Sequence, residues 1–288
     1  MSILQADSSS HSTIQVSPEI KQPLIESISS FDPVFEFLSD VKNDDLIVWD
    51  IDHTLVNFAD NVLRWQTHQR AECDRLNAEA IAKYCRYPED KAYLKFISSQ
   101  AISHASYELT DQRLPSFIKI LQSKEAKVIA LTHSVTGKYG IIPDFVDWRI
   151  TQLQQLDLNF SNVFGQTNQV LKFYVDENKQ DCPSIYHSGI LVTGGHMDKG
   201  TLLIQFLNKV NFKPRRVIFI DNKLSNLESV NNALAQQSIP CYSFLYSIAP
   251  PQVHLDVELG LFQFEYLYQN EKWLTDPQAQ QMLSVYSK

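Results

Sequence analysis

The sequence predicts an α/β fold: a Rossmann-like, largely parallel sheet flanked by helices, with a helical cap inserted into it. Three observations carry this. Short apolar runs rich in β-branched residues, LIVWD (46–50), KVIALT (127–132) and RVIFID (216–221), each end on a polar residue, as strands buried on both faces do. The segments between such runs carry apolar residues at three- to four-residue spacing, as crossover helices do. Strands alternating with helices form parallel sheets, and open sheets of this kind bind ligands beyond the carboxyl ends of their strands.

In chain order, residues 1–30 are rich in serine and lack a sustained period, which predicts a flexible leader passing into a short helix, with the ordered domain starting near Phe31. The run at 46–50 is the first core strand. Residues 57–120 lack strand signals and are expected to form the helical cap. The run at 127–132 is the next core strand. A second insertion, 140–188, offers a helix in PDFVDWRITQLQQLDL and a hairpin around KFYVDENKQDCPSIYHS, turning at Asp176-Glu177-Asn178.

GILVT (189–193) reads as a further strand, followed by a helix with Asp198 as N-cap and Leu202, Leu203, Phe206, Leu207 and Val210 on its inner face. After RVIFID, Leu224, Leu227, Val230 and Leu234 mark another helix, and CYSFLY (241–246) a last strand. The core is thus expected over 31–56 and 121–250. Residues 251–288 form a C-terminal helical segment, whose aromatic stripe in GLFQFEYLYQNEKW (260–273) reads as a docking face.

Composition narrows the function. With 288 residues, 44% hydrophobic and 20% charged, the chain is ordinary globular material, and its 8 glycines are under half the usual ~7%, which favours helices over glycine turns. A net charge of -8 gives no basic footprint for nucleic acid. Cys73, Cys85, Cys182 and Cys241 are scattered without metal-ligand spacing and suit a reducing, cytoplasmic setting. No signal peptide is visible and no apolar run reaches the ~18 residues of a membrane span; export by a route without an N-terminal signal stays open.

The chemistry concentrates at strand ends. Asp50 and Asp52 close the first strand, with Thr54 two positions on; uncompensated carboxylates are costly there. Thr132 ends the second strand, Lys199 opens a helix, and Asp221-Asn222 close RVIFID. Two carboxylates as close as Asp50 and Asp52 repel unless a cation or a shared proton separates them. Mg²⁺ suits such a site, because it takes one or two carboxylates, several waters and a substrate phosphate. An aspartate at a strand end can attack phosphorus and form an aspartyl-phosphate, and its neighbour can protonate the leaving oxygen.

The order of these residues resembles the haloacid dehalogenase (HAD)-like hydrolase superfamily, through IVWDIDHTLV, Thr132, Lys199 and IFID; GILVTGGHMDKG and IFIDNKLSNLESV resemble an uncharacterised bacterial family within it. The resemblance covers roughly residues 44–246, leaving both insertions without a motif. It implies a HAD-like core and a Mg²⁺-dependent phosphatase acting through a phosphorylated Asp50, with Asp52 as acid/base. It further implies that Mg²⁺ is held by the Asp50 carboxylate, the Asp52 backbone carbonyl and Asp221, that Thr132 binds a phosphate oxygen and that Lys199 offsets its charge.

One departure is clear. Where many relatives carry a second acidic residue after the last motif aspartate, this chain has Asn222 and Asn226, with Glu228 further on. Asn222 is a candidate ligand through its amide or a water, and His133 a candidate substrate contact. His53 and His196 flank motifs without metal-ligand spacing. Asn57 is expected to begin the loop covering the site, and Trp65 and Tyr84 to pack cap helices. The expected substrate is a phosphorylated small molecule or a phosphoprotein. A HAD-like binding protein with weak or no catalysis, and a phosphotransferase, are the alternative readings.

Overall fold

The computed structural model describes residues 24–64, 69–161, 163–164, 170–175, 182–247 and 255–286. The leader up to residue 23, Trp65 and the hairpin turn at 176–178 lie outside these residues.

The elements run β1 (Leu24–Ile28), α1 (Asp32–Phe37), β2 (Asp45–Trp49), β3 (Val56–Phe58), α2 (Arg70–Tyr84), α3 (Lys91–His104), β4 (Tyr107–Leu109), α4 (Leu114–Ser123), β5 (Lys127–Thr132), α5 (Phe145–Gln155), β6 (Leu171–Phe173), β7 (Ser184–His187), β8 (Ile190–Val192), α6 (Lys199–Lys209), β9 (Arg216–Asp221), α7 (Leu224–Gln236), β10 (Cys241–Tyr246), α8 (Val257–Asn270) and α9 (Asp276–Tyr286). The main sheet has the order β1-β10-β9-β2-β5-β8-β7-β6. It is parallel from β1 to β8, and β7 runs antiparallel to both its neighbours.

The apolar runs are strands because both of their faces are covered. In β2, Ile47 and Trp49 face α1, α4 and α5, while Leu46 and Val48 face α6 and α7. β5 and β9 divide the same way: Val128, Ala130, Ile218 and Ile220 join the first face, and Ile129, Leu131, Val217 and Phe219 the second. From β2 the chain moves to β5, passes to the far edge at β6 and returns through β7 to β8, then crosses to the other side of β2 to lay down β9 and β10. The reversal makes the carboxyl ends of β2 and β9 the topological switch point, where open α/β sheets hold ligands.

Two segments depart from the sequence reading. β1 is a strand where leader and short helix are expected: Leu24–Ile28 pairs in parallel with Tyr242–Tyr246, so the ordered chain begins before Phe31. In the 57–120 segment, β3 and β4 pair antiparallel as a stem, Val56 opposite Leu109, and among the described residues between them lie a 3-10 turn at Asn61–Leu63 and the helices α2 and α3. α4 belongs to the core, with Leu114, Ile118 and Leu121 buried against the sheet.

The aromatic stripe of α8 docks on those two helices. Phe264, Leu267, Tyr268 and Trp273 share a buried cluster with Val62, Leu76, Ala80, Ile97 and Ala101. At its base the buried Asp60 accepts hydrogen bonds from the Trp273 indole Nε1 (2.9 Å), the Ser106 amide (3.1 Å) and the Asp276 amide (2.9 Å). Trp273→Ala removes both the ring and one of these donors. The expected cost is about 3–5 kcal/mol, read as a lower midpoint in urea unfolding with little change in the slope.

On its other side α3 is fastened to the loop after β5. The Ser99 hydroxyl accepts from the Ile141 amide at 2.9 Å and donates to the Phe96 carbonyl at 2.6 Å, and Tyr139 Oη donates to Ser98 Oγ at 3.2 Å. Gly140 makes the approach feasible: its φ is +57°, and a Cβ there would fall on the Ser99 side chain.

Candidate active site

Asp50 directly follows β2, and its amide donates to the Ile220 carbonyl of β9 at 2.9 Å. This sets Asp50 beside Asp221, the last residue of β9. Lys199 Nζ reaches both carboxylates, at 2.5 Å to Asp50 Oδ1 and 2.7 Å to Asp221 Oδ2. The three side chains are almost withdrawn from solvent: Asp50 is 5% exposed, Lys199 2% and Asp221 0%.

Each carboxylate is aimed by further donors. Thr54 Oγ1 donates to Asp50 Oδ2 at 2.9 Å. The Lys223 amide donates to Asp221 Oδ1 at 2.8 Å, and Asn226 Nδ2 approaches both Asp221 oxygens at 3.1 and 3.0 Å. Asn226, noted in the sequence for the charge it lacks, therefore serves as a donor that orients Asp221.

Burial and the adjacent Asp221 carboxylate push the Asp50 carboxyl up to about 7, against the opposing pull of Lys199. For Lys199, burial opposes the charge, but the Asp50 and Asp221 carboxylates outweigh it and hold the ammonium above its ordinary value.

Lys199 arrives at this point because α6 starts hard against α7. The Asp198 carboxylate caps α6 by accepting from the Thr201 amide at 3.0 Å, and it also accepts from Ser229 Oγ at 2.5 Å. Gly200 sits where a Cβ would collide with the Ser229 carbonyl. Gly200→Ala is thus expected to cost about 1–3 kcal/mol by overpacking and to draw Lys199 away from the carboxylates. A thermal melt and a structure of the variant check both.

Thr132 is buried at the end of β5, the strand beside β2, and its carbonyl accepts from the Thr193 amide at 3.1 Å. The next residue, His133, is exposed; its Nδ1 lies 3.0 Å from Thr193 Oγ1, and its pKa is lowered by partial burial and by Lys199 and Lys223. Asn222 and Lys223 are also exposed, so with His133 they form the outer part of the site. His53 adopts a left-handed φ of 64° and its Nδ1 lies 2.9 Å from Asn57 Oδ1. His196 is exposed.

Asp52 stands apart from the buried trio. Its side chain is 38% exposed and forms an ion pair with Arg149 of α5, Nη2 lying 3.0 Å from Oδ1 and 3.3 Å from Oδ2. Arg149 is absent from the sequence reading. Its signal is a charged residue on the buried face of a helix, in step with Phe145, Val146, Gln152 and Leu153.

The donor set fits a hard cation. Asp50 and Asp221 bring two negative charges against the single positive charge of Lys199, and their oxygens are ligands that Mg²⁺ prefers. Asp50 and Asp221, with the Asp52 carbonyl that the resemblance implies, are the residues that would hold it. Among the described residues no group of three or more His, Cys, Asp or Glu side chains converges on one point, so most remaining ligands would be water or substrate oxygens.

Fold and site together define an α/β protein with a buried carboxylate–lysine cluster at the switch point of its parallel sheet. Residues 27–280 match DUF2608, described as a protein of unknown function, and the chain belongs to that family. It is 27% identical over 146 residues to an uncharacterised protein of Rickettsia felis, covering 50% of this chain and 49% of that one. Over 254 residues it is 22% identical to an uncharacterised protein of Rickettsia prowazekii, covering 86% of each. The match to the first of these relatives spans about half of its length. No solved structure matches the chain. No helix among the described residues is long and apolar enough to cross a membrane.

Proposed function

We propose that this chain is a Mg²⁺-dependent phosphatase with a HAD-like core, acting in the cytoplasm on a phosphorylated small molecule or a phosphoprotein. The observation that carries the reading is the convergence of Asp50, Lys199 and Asp221 at the sheet's switch point, with Asp50 held by Thr54. The motif order supports the HAD-like assignment, and α2 and α3, carried on the β3–β4 stem that follows the first motif, are the segment proposed to act as a substrate-selecting cap.

In this reading Asp50 attacks phosphorus while the bond from phosphorus to the leaving oxygen breaks, and Asp52 gives that oxygen a proton. Asp52 then takes a proton from water, which attacks the aspartyl-phosphate, releases inorganic phosphate and restores Asp50. Lys199 balances charge on the phosphoryl group as it moves, and Thr132 donates to one of its oxygens. Bound Mg²⁺ would supply charge neutralisation for the equatorial oxygens.

The test is turnover of 4-nitrophenyl phosphate and a panel of phosphometabolites, with and without Mg²⁺. Metal-dependent release of phosphate is the expected result. Complete inactivity across the panel would sink the phosphatase reading and favour a binding protein, a reading that Asn222 and the motif-free insertions also support.

A further inference from the structure

Arg149 has no place in the motif order, yet it is the ion-pair partner of Asp52. Only 5% of its surface is exposed, and it is held on every side. Nη1 donates to Gln152 Oε1 at 2.7 Å, one helical turn along α5. The guanidinium carbon lies 5.0 Å from the Trp148 ring, 5.7 Å from Phe145 and 6.0 Å from Tyr107, within cation–π range of all three. Tyr107 belongs to β4 of the cap stem and meets Trp148 edge-on, with centroids 6.1 Å apart. Two insertions that carry no motif therefore meet around one arginine.

This arrangement is costly as a purely structural device. Arg149 Nε and Gln152 Nε2 are buried without a hydrogen-bond partner among the described residues, and each such group costs about 1–3 kcal/mol. Among the described residues the guanidinium's one ionic partner, Asp52, remains more than a third exposed, so the pair gains less than a fully enclosed one. Apolar residues would fill the same space between the three rings without these losses. The charge is better explained by what it does to Asp52.

We infer that Arg149 is the positioning residue for Asp52. It fixes the carboxyl on the leaving-group side of Asp50 and stabilises the carboxylate that forms there as the proton passes to the leaving oxygen. The inference rests on the phosphatase reading. The proton balance is closed: Asp52 loses one proton to the leaving oxygen and regains one from the attacking water, while Arg149 keeps its own throughout. Its contribution is therefore confined to steps in which charge develops on Asp52. A leaving group that departs readily as an anion hardly needs that proton, whereas an alkoxide does.

The experiment compares 4-nitrophenyl phosphate with glycerol phosphate, at saturating Mg²⁺, for the parent protein, Arg149→Met, Arg149→Lys, Asp52→Asn and the Arg149→Met/Asp52→Asn double variant. Arg149→Met is expected to lose ~10- to 100-fold more kcat on the alkyl ester than on the aryl ester, in line with general acid–base contributions. Arg149→Lys, which keeps the charge but loses the fork, should recover part of that difference. The double variant should be no slower on glycerol phosphate than Asp52→Asn alone.

Equal losses on both esters, or additive losses in the double variant, would overturn the positioning role while leaving the phosphatase reading intact. If Arg149→Met fails to fold by thermal melt, Arg149→Lys decides by the same comparison: a larger loss on the alkyl ester supports the role and equal losses reject it. A parent protein inactive on both esters would bring down the phosphatase reading and this inference with it.

Discussion

Asp50→Asn is expected to abolish phosphate-ester turnover while leaving the protein at least as stable as its parent. The two outcomes have one cause. In the proposed reading Asp50 attacks phosphorus, and an amide cannot form the acyl phosphate, so the loss should reach the assay's floor, at least ~10³-fold. The same substitution turns a buried cluster of two carboxylates and one ammonium into a neutral pair of Asp221 and Lys199, 2.7 Å apart. The contact between Thr54 and residue 50 can survive, since the amide oxygen still accepts.

A pH dependence follows for the metal-free protein. Burial and the Asp221 charge raise the Asp50 carboxyl to about 7, above the ~4 of an unfolded chain. A raised carboxyl pKa contributes stability that is fully present below pH ~4 and is lost as the pH rises through about 7. Thermal melts of the parent should therefore fall relative to Asp50→Asn across that window. A gap that stays constant with pH would contradict the assignment. Activity surviving in Asp50→Asn would remove Asp50 from the role of nucleophile.

Lys199→Met should destabilise the protein strongly. The methionine matches the stem of lysine but leaves Asp50 and Asp221 facing each other, buried, with no cation between them. Breaking a buried ion pair from one side costs about 3–5 kcal/mol, and at ~2–4 °C per kcal/mol for a chain of this size the melting temperature should drop by roughly 6–20 °C. Mg²⁺ should restore part of that loss, because it can take over the neutralising charge. A variant that melts like its parent would show that the carboxylates relieve their repulsion in another way, such as by sharing a proton.

The parallel sheet, with Asp50 and Asp221 at its strand ends, is legible in the sequence for a physical reason, whereas Lys199 is legible only through the motif order of the resemblance. Strands covered on both faces must be continuous apolar runs, and polar residues that interrupt such runs at the carboxyl edge stand out against them. β1 was not legible, because LIESI is short, carries Glu and Ser in its middle and lies at the sheet edge, where only one neighbour is needed. β3 and β4 are three residues each, VNF and YEL, too short for any period to show.

Arg149 escaped notice because its partner lies 97 positions away and no local spacing links them. The stripe on α8 was readable as a docking face, but the surface it covers lies nearly two hundred residues earlier in the chain. Of the site, then, the residues on the strands and at the start of α6 could be read, and the one brought in by an insertion could not.

The docking of α8 on α2 has a consequence for the order of biosynthesis. The cap helices leave the ribosome well before Val257–Asn270, yet their buried side is completed only by Phe264, Leu267, Tyr268 and Trp273. At roughly 5–20 residues per second, α2 and α3 wait on the order of ten seconds for that partner, with their apolar face uncovered. The nascent chain thus carries a finished sheet before α2 and α3 have their packing partner. The interval is when chaperones have an apolar surface to hold, and that surface is covered as translation nears its end.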